Sequence, residues 1–385
     1  MFNDYARTAI DNCTFNNNSA EFGAGVYSYY SVGLTLTGCT FSGNFAEFGG
    51  GLCHKYSEIS TVTDCIFSEH SGGEFGGGIY NYAGWGTVTG CTFSDNSSWW
   101  GGGLYNEYFN GSVINCTFSG NSTIEEGAGM YNLRGNPMVS GCTFNGNWSY
   151  SGGGMDNDEC TVKVTNCAFT GNFAVYGGGG MDNFDSSVAI SQCTFYANRG
   201  YYNDGGGIRD KASSSTVTNC ILWGNTAPDY PQMSGTPTVM YSNVQGGWEG
   251  VGNIDVDPCC VNPGYWEDPC TNPDYYRDDI FVPGDYHLKS QAGRYDPTTQ
   301  SWVHDDVTSP CIDAGNPTSP IGHEPFPNGG IVNMGAYGGT REAAKSHFGK
   351  PPCETIVAGD INGDCRIDFA DFAFIARRWL QERTP

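Results

Sequence analysis

The stretch Cys91-Thr92-Phe93-Ser94-Asp95-Asn96, followed closely by Gly101-Gly102-Gly103-Leu104-Tyr105-Asn106, decides the fold because it recurs along the chain. Its cysteine returns at steps of 25 to 27 residues, at Cys13, Cys39, Cys65, Cys91, Cys116, Cys142, Cys167, Cys193 and Cys220. A period of this length, held so closely, is typical of stacked repeats in which each repeat buries its apolar face on the next. The sequence therefore predicts a solenoid.

Each repeat has the same pattern around its anchor cysteine. The residue three positions earlier is always aliphatic, and the residue two positions later is Phe, with Leu222 the only exception. We expect these side chains to point inward together with the cysteine. The residue just before the cysteine is mostly Gly, Asn or Asp, which tolerate a left-handed backbone. Two short strands therefore meet at a sharp corner beside each anchor cysteine.

Two columns of asparagine are also predicted. Five residues after the anchor cysteine, eight of nine repeats carry Asn and one carries His70. A second column follows the glycines, and we interpret His54 as a substitute in it. Its members are Asn81, Asn106, Asn132, Asn157 and Asn183. Stacked asparagines can hydrogen-bond along the stack. Three strands and three corners per coil of about 26 residues describe an all-β parallel β-helix.

Two of these motifs carry a family resemblance. The spacing from Phe41 to Asn44 and the run Gly76-Gly77-Gly78-Ile79 resemble the repeats of chlamydial polymorphic outer-membrane proteins. They are also similar to repeats of bacterial secreted right-handed β-helix proteins. The resemblance covers residues 10–225 and implies a right-handed parallel β-helix. It implies several roles, because such repeats serve adhesins, surface proteins and some polysaccharide-active enzymes.

Four segments are expected. These are a parallel β-helix at 1–244, an irregular C-terminal cap at 245–345, a linker at 346–358 and a small helical calcium-loop module at 359–385. The nine anchor cysteines should be free thiols, because side chains in parallel register do not converge as a disulfide requires. Four cysteines in the cap are candidates for disulfides, namely Cys259, Cys260, Cys270 and Cys311.

The last segment contains a candidate calcium loop. Oxygen side chains occupy loop positions 1, 3, 5, 9 and 12, with a backbone carbonyl at Arg366, which is spacing like that of an EF-hand. The side chains belong to Asp360, Asn362, Asp364, Asp368 and Asp371, and a helix is predicted at 372–380. The segment resembles one dockerin type I repeat, which implies a calcium cofactor and a cohesin-like partner. Dockerins carry two such repeats, whereas this sequence has one.

Composition limits the classes of partner. The formal net charge of −24 argues against nucleic acid and against anionic membranes. No apolar run is long enough for a transmembrane segment. Because the repeats begin almost at Met1, we expect a secretion signal and a solenoid cap upstream. The predicted location is therefore extracellular or at the cell surface.

The third strand of each coil supplies a row of outward side chains. The row reads Tyr27, Cys53, Tyr80, Tyr105, Tyr131, Asp156, Asp182 and Arg209. Tyrosine offers a ring face and a hydroxyl for sugars. We therefore predict that Tyr80, Tyr105, Tyr131, Asp156 and Asp182 bind a polysaccharide or a cell-surface glycan. A second aromatic row is either a glycan-binding stripe or corner packing, and comprises Phe22, Phe48, Phe75, Trp100, Tyr150, Tyr176 and Tyr202.

Three functions stay open. The favoured hypothesis is a secreted, non-catalytic adhesin or polysaccharide-binding protein, tethered through its C-terminal module. The first alternative is a polysaccharide lyase or glycoside hydrolase that uses Asp156, Asp182 and Arg209, because two carboxyls on adjacent strands stand about 5 Å apart. These side chains are otherwise a solvated polar surface. The second alternative is a structural protein that assembles into fibres through its coil ends.

Overall fold

A computed structural model describes residues 1–57, 59–71, 73–202, 205–267 and 279–346, together with Phe369, Phe372 and Ala373. The described residues up to Val244 form a parallel β-solenoid, which confirms the predicted fold class. Each coil contributes one strand to each of three ten-stranded sheets, and every strand pairs in parallel with its equivalents in the coils above and below.

Sheet 1 carries the outward row that the sequence singled out. Its strands are Phe2–Asp4, Val26–Tyr29, Leu52–Lys55, Ile79–Tyr82, Leu104–Glu107, Met130–Leu133, Met155–Asp158, Met181–Phe184, Ile208–Lys211 and Met233–Ser234.

Sheets 2 and 3 flank the anchor cysteines. The strands of sheet 2 are Arg7–Asp11, Gly33–Thr37, Ile59–Thr63, Trp85–Thr89, Ser112–Ile114, Met138–Ser140, Thr161–Thr165, Ser187–Ser191, Ser214–Thr218 and Thr238–Met240. The strands of sheet 3 are Thr14–Asn16, Thr40–Ser42, Ile66–Ser68, Thr92–Ser94, Thr117–Ser119, Thr143–Asn145, Ala168–Thr170, Thr194–Tyr196, Ile221–Trp223 and Asn243–Val244.

The expectation of three strands per coil is confirmed by the three long sheets, and several coils add a further short strand and corner. A fourth, short parallel sheet lies between sheet 3 and sheet 1. Its five strands are Ser97–Ser98, Ser122–Thr123, Trp148–Ser149, Phe173–Ala174 and Arg199–Gly200, and Ser19–Phe22 pairs with Phe45–Phe48 in earlier coils. A fourth left-handed corner, at glycines such as Gly101 with φ 64°, then turns the chain into sheet 1.

The core consists of columns of like side chains. The rings from Phe41 to Phe195 stack with centroids 4.6–5.0 Å apart. The nine anchor cysteines are free thiols, as predicted. Their sulfurs also accept hydrogen bonds, since the N–H of Cys39 donates to Sγ of Cys65 at 3.4 Å. The corner before each anchor cysteine has the predicted positive φ, for example 51° at Asn115.

Both asparagine ladders form. Asn147 Nδ2 donates to Asn172 Oδ1 in the next coil at 2.9 Å, and Asn106 Nδ2 donates to Asn132 Oδ1 at 2.9 Å. His70 takes the predicted ladder position, because its Nδ1 accepts the N–H of Asn44 at 3.0 Å. His54 stands opposite Asn81 in sheet 1, also as predicted.

The cap packs back onto the solenoid. Its hairpins pair Cys260–Asn262 with Asp285–Leu288, Tyr265–Glu267 with Ile280–Val282, and Arg294–Asp296 with Ser301–Val303. Trp266 Nε1 donates to the carbonyl of Ala197 at 2.8 Å, and the N–H of Gly335 donates to the carbonyl of Asn219 at 2.8 Å. These bonds tie the cap to the last coils.

The predicted cap disulfides do not form among the described cysteines, where Cys259, Cys260 and Cys311 are free thiols. Cys270 lies outside the described residues, as does nearly all of the linker. The predicted calcium ligands Asp360, Asn362, Asp364, Arg366, Asp368 and Asp371 lie outside them too. Phe372 and Ala373, the described part of the predicted last helix, are helical.

Candidate functional site on the outer face of sheet 1

The outward row of sheet 1 is buried, so the expectation that it forms an open binding face is wrong. Tyr80, Tyr105, Tyr131, Asp156 and Asp182 are each at most 5% exposed. The reason is the corner that precedes each strand, which closes over the row. A Cβ atom at Gly101 would lie only 2.7 Å from Cβ of Tyr105, so glycine is required for this close approach.

A ridge of side chains lies beside the buried row and covers it. Phe48, Phe75 and Trp100 form a bridged column in this ridge, and the tyrosine rings of the row pack against it. The centroids of Phe75 and Tyr105 are 5.1 Å apart. The tyrosines are therefore held in an aromatic layer. For this part of the second aromatic row, the structure favours corner packing over a glycan-binding stripe.

The predicted second aromatic row is two rows in the structure. The N–H of Gly101 donates to the carbonyl of Glu126, and a β-bridge joins Glu126 to Ser151. The column that contains Trp100 therefore continues with Glu126 and Ser151 in the next two coils. Tyr150 aligns instead with Glu125, one residue earlier in its coil. The exposed rings of Tyr150, Tyr176 and Tyr202 thus form a separate outer row, with neighbouring centroids 4.7 and 5.2 Å apart.

A set of tyrosines that sequence reasoning missed is exposed on the other side of sheet 1. We name it the tyrosine comb, and it comprises Tyr5, Tyr30, Tyr56 and Tyr108, while Ala83 occupies the same corner in the coil between Tyr56 and Tyr108. Tyr30 and Tyr56 stack at 5.0 Å with ring planes 11° apart, so the rings cover each other's faces and present edges and hydroxyls to solvent. Tyr82 then packs edge-on against Tyr56 and Tyr108.

The buried row changes from aromatic to charged at Asp156. Asp156 pairs with Asp182, and Asp182 with Arg209, on successive strands, as the repeat register predicted. Arg209 holds Asp182 through two bonds, from Nε at 2.9 Å and Nη2 at 2.6 Å. The hydroxyl of Ser151 also donates to Asp182. The structure thus brings the three predicted residues together.

Burial and neighbouring charges shift the pKa of two carboxyls at this charged centre, Asp156 and Glu126. Burial raises the pKa of Asp156 well above its ordinary value, and the neighbouring charges of Asp182 and Glu126 raise it further. Burial likewise raises the pKa of Glu126, with Asp158 and Asp182 adding to the shift. The shift favours the neutral form of Asp156 beside the salt bridge of Asp182 with Arg209. Neighbouring carboxyls in different environments are an arrangement that acid–base chemistry uses.

Sequence reasoning missed Glu126 and Ser151 at this centre. The signal lay in the coil 123–133, where the aromatic residue before the glycine is replaced by Glu125 and Glu126. In the described parts of the chain, no group of three or more His, Cys, Asp or Glu is placed to hold a metal ion. No helix among these residues is long and apolar enough to cross a membrane.

Comparison with known families agrees with this architecture. The family model described as "Right handed beta helix region" matches residues 1–122 and 77–244, which together make up more than half of the chain. A model described as "Disaggregatase related" matches residues 267–315, all of them within the segment predicted as the cap. No curated protein matches the chain. The solenoid is therefore right-handed, and the chain belongs to the right-handed β-helix family.

Proposed function

We propose that the protein binds an extended neutral polysaccharide along the outer face of sheet 1 without cleaving it. The observation that carries this proposal is the tyrosine comb, which replaces the buried tyrosines as the predicted contact surface. Its rings repeat at 5.2 Å from Tyr5 to Tyr30 and at 5.0 Å from Tyr30 to Tyr56, close to the spacing of paired strands. That repeat is close to the length of one sugar in an extended chain, so successive sugars can meet successive hydroxyls.

The backbone at the comb supports a binding role. Tyr30, Tyr56 and Tyr108 have φ of 44°, 52° and 51°, in the left-handed region. A bulky residue there is strained by roughly 1–2 kcal/mol, which glycine would avoid. The same corner is left-handed at Ala83, Arg134 and Glu159, so it belongs to the fold and holds the comb residues at matching positions of their coils. The acidic surface favours neutral glycans over anionic ones.

The same proposal includes a tether. The segment 359–385, with its predicted calcium ligands, would hold the protein outside the cell or at its surface through a cohesin-like partner. The resemblance to a dockerin repeat supports this part of the proposal. If the full-length chain shows no calcium-dependent binding to a cohesin domain, the proposed tether is refuted. The glycan-binding proposal is unaffected by that result.

Affinity electrophoresis in gels that contain neutral polysaccharides tests the binding proposal. We expect the wild-type protein to be retarded and a Tyr30→Ala, Tyr56→Ala, Tyr108→Ala variant to migrate freely. Trp85→Ala is the matched control, because Trp85 is an exposed aromatic residue of sheet 2. Equal retardation of the triple variant and the wild type would overturn the proposal, as would a wild type that no neutral polysaccharide retards.

The charged centre favours a second candidate function, the cleavage of a polysaccharide. The raised pKa of Asp156 suits a proton donor, and Arg209 and Asp182 would orient a substrate that reached it past the corner that covers the row. Assays for reducing sugars and for unsaturated products, on acidic and neutral polysaccharides, test this candidate. Turnover by the wild type that Asp182→Asn abolishes would replace the binding-only proposal, whereas no turnover by either protein would remove the candidate.

A further inference from the structure

The cap contains a buried carboxyl, Glu324, and a half-buried one, Asp313, that the function proposed above does not use. Asp313 and Glu324 lie in the part of the cap after Val303, where the described residues up to 346 form turns and bends without strands or helices. Asn333 connects the two residues. Its N–H donates to Glu324 Oε1 at 2.8 Å, and its Oδ1 accepts the N–H of Asp313 at 2.9 Å.

One oxygen of each carboxyl is buried without a hydrogen-bond partner. Glu324 is only 2% exposed, and while its Oε1 also accepts the N–H of Gly339 at 2.8 Å, its Oε2 has no partner among the described residues. The same holds for Asp313 Oδ1. The hydroxyl of Ser346 lies beside the Asp313 carboxyl and partly lowers the pKa of Asp313, while the charge of Asp313 raises the pKa of Glu324, so the three groups are neighbours.

Neither protonation state satisfies these oxygens. An ionised Glu324 would leave Oε2 without a donor, and a protonated Glu324 would leave the same atom without an acceptor. A buried polar atom that lacks a partner is destabilising by about 1–3 kcal/mol, so two such oxygens in one place call for a further group.

We propose that Asp313, Glu324 and Ser346 hold a calcium ion inside the cap. The set consists entirely of oxygen, which hard divalent cations prefer, and contains no nitrogen or sulfur ligand. Calcium accepts carboxylate, hydroxyl, carbonyl and water oxygens in flexible geometry, so two carboxylates suffice when backbone carbonyls complete the shell. The ion would cross-link segments near residues 313, 324 and 346, which lack strand pairing.

The experiment must separate this site from the predicted loop at 360–371. The full-length chain carrying Asp360→Ala and Asp364→Ala is stripped with EGTA and then dialysed against calcium. Bound metal is measured by atomic emission, and thermal unfolding is followed with and without calcium. We expect about one calcium ion per chain and a Tm that calcium raises.

Two variants and one control complete the test. Glu324→Gln and Asp313→Asn, each added to that background, should bind no calcium and should have a Tm that calcium does not change. Glu249→Gln, at an exposed cap residue, should behave like the background. No bound calcium in the background, or calcium retained in both variants, would overturn the proposal. If a variant fails to fold, the metal content and the calcium-dependent Tm of the chain that carries only Asp360→Ala and Asp364→Ala still test the proposal.

Discussion

His70 shows how one substitution inside a ladder alters the pH dependence of the fold. Burial lowers the pKa of His70 to about 4, and its Nε2 has no hydrogen-bond partner among the described residues. In the unfolded chain a histidine takes up a proton near pH 6.5. The unfolded state therefore binds more protons than the folded state between pH 6.5 and 4, and stability falls as the pH falls through that window.

We expect His70→Asn to stabilise the protein most at low pH. Asparagine is the ladder residue of the neighbouring coils, and it does not titrate. The variant should gain up to about 2 kcal/mol in free energy of unfolding at pH 5 relative to the wild type, and less at pH 8. Urea unfolding at both pH values measures this, with the exposed His304→Asn as control. A difference that does not depend on pH would contradict the explanation.

The direction in which each side chain points was predictable, but its exposure was not. Tyr105 points outward as the strand pattern requires, since outward direction follows from local alternation. Its burial depends on Trp100 and Gly101, which fold over it from the preceding corner. Such packing involves neighbours across a turn whose geometry the sequence pattern did not reveal.

Within the ladder that follows sheet 3, an asparagine side chain forms hydrogen bonds that link three successive coils. Asn147 Oδ1 accepts the N–H and the Nδ2 of Asn121, while Asn147 Nδ2 donates to Asn172 Oδ1 and to the carbonyl of Phe118. Because all four bonds are buried, removing one side chain leaves several groups without partners. The ladder is therefore a cooperative element rather than a set of separate bonds.

We expect Asn147→Ala to lower the free energy of unfolding by about 3 kcal/mol or more, because buried donors and acceptors lose their partners. Asn136→Ala is the matched control. Asn136 is exposed and makes one side-chain bond, to Asn110 at 2.7 Å, so its loss should change stability by less than about 0.5 kcal/mol. Chemical denaturation of both variants provides the measurement. Equal effects would show that the ladder is not cooperative.

The three long sheets could be predicted because each is marked by a repeated residue type. The short fourth sheet could not. Its strands Ser97–Ser98 and Ser122–Thr123 have two residues each, and small polar residues carry no alternation that a sequence pattern can register. Their pairing follows from the stacking of the coils, which forces every segment of one coil beside the same segment of the next.

The complete protein depends on the junction between solenoid and cap. Arg199 lies over the ring of Trp266 at 4.2 Å and pairs with Asp279 at 2.6 Å. The strands Tyr265–Glu267 and Ile280–Val282 are thereby fastened to the side of the solenoid. In a linear array, where each repeat contacts only its neighbours, such an anchor stabilises the coils nearest to it.

We expect Trp266→Ala to release this hairpin without unfolding the distant coils. Hydrogen–deuterium exchange should show lower protection at Tyr265–Glu267 and Ile280–Val282, with protection at Leu104–Glu107 unchanged. Tyr265→Ala is the control, because Tyr265 is exposed and lies on the same strand. Unchanged protection in the Trp266 variant would mean that other contacts hold the hairpin.

The candidate site was predicted in part. The repeat register placed Asp156, Asp182 and Arg209 in one row, and the structure joins Asp182 and Arg209 in an ion pair. The tyrosine comb could not be recognised from sequence, because its members occupy a corner where the residue type changes from coil to coil. The buried oxygens near Asp313 could not be recognised either, since the turns that assemble them have no repeat.

The column of anchor thiols has a consequence for the lifetime of the protein. Burial raises the pKa of Cys167 and Cys193 well above the ordinary value, so in the folded state they form almost no reactive thiolate. Unfolding would expose a long series of reactive sulfurs at once, and in an oxidising medium they would join in random pairs. Refolding would then be blocked. In such a medium the lifetime of the protein is set by its rate of unfolding and not by its equilibrium free energy of unfolding.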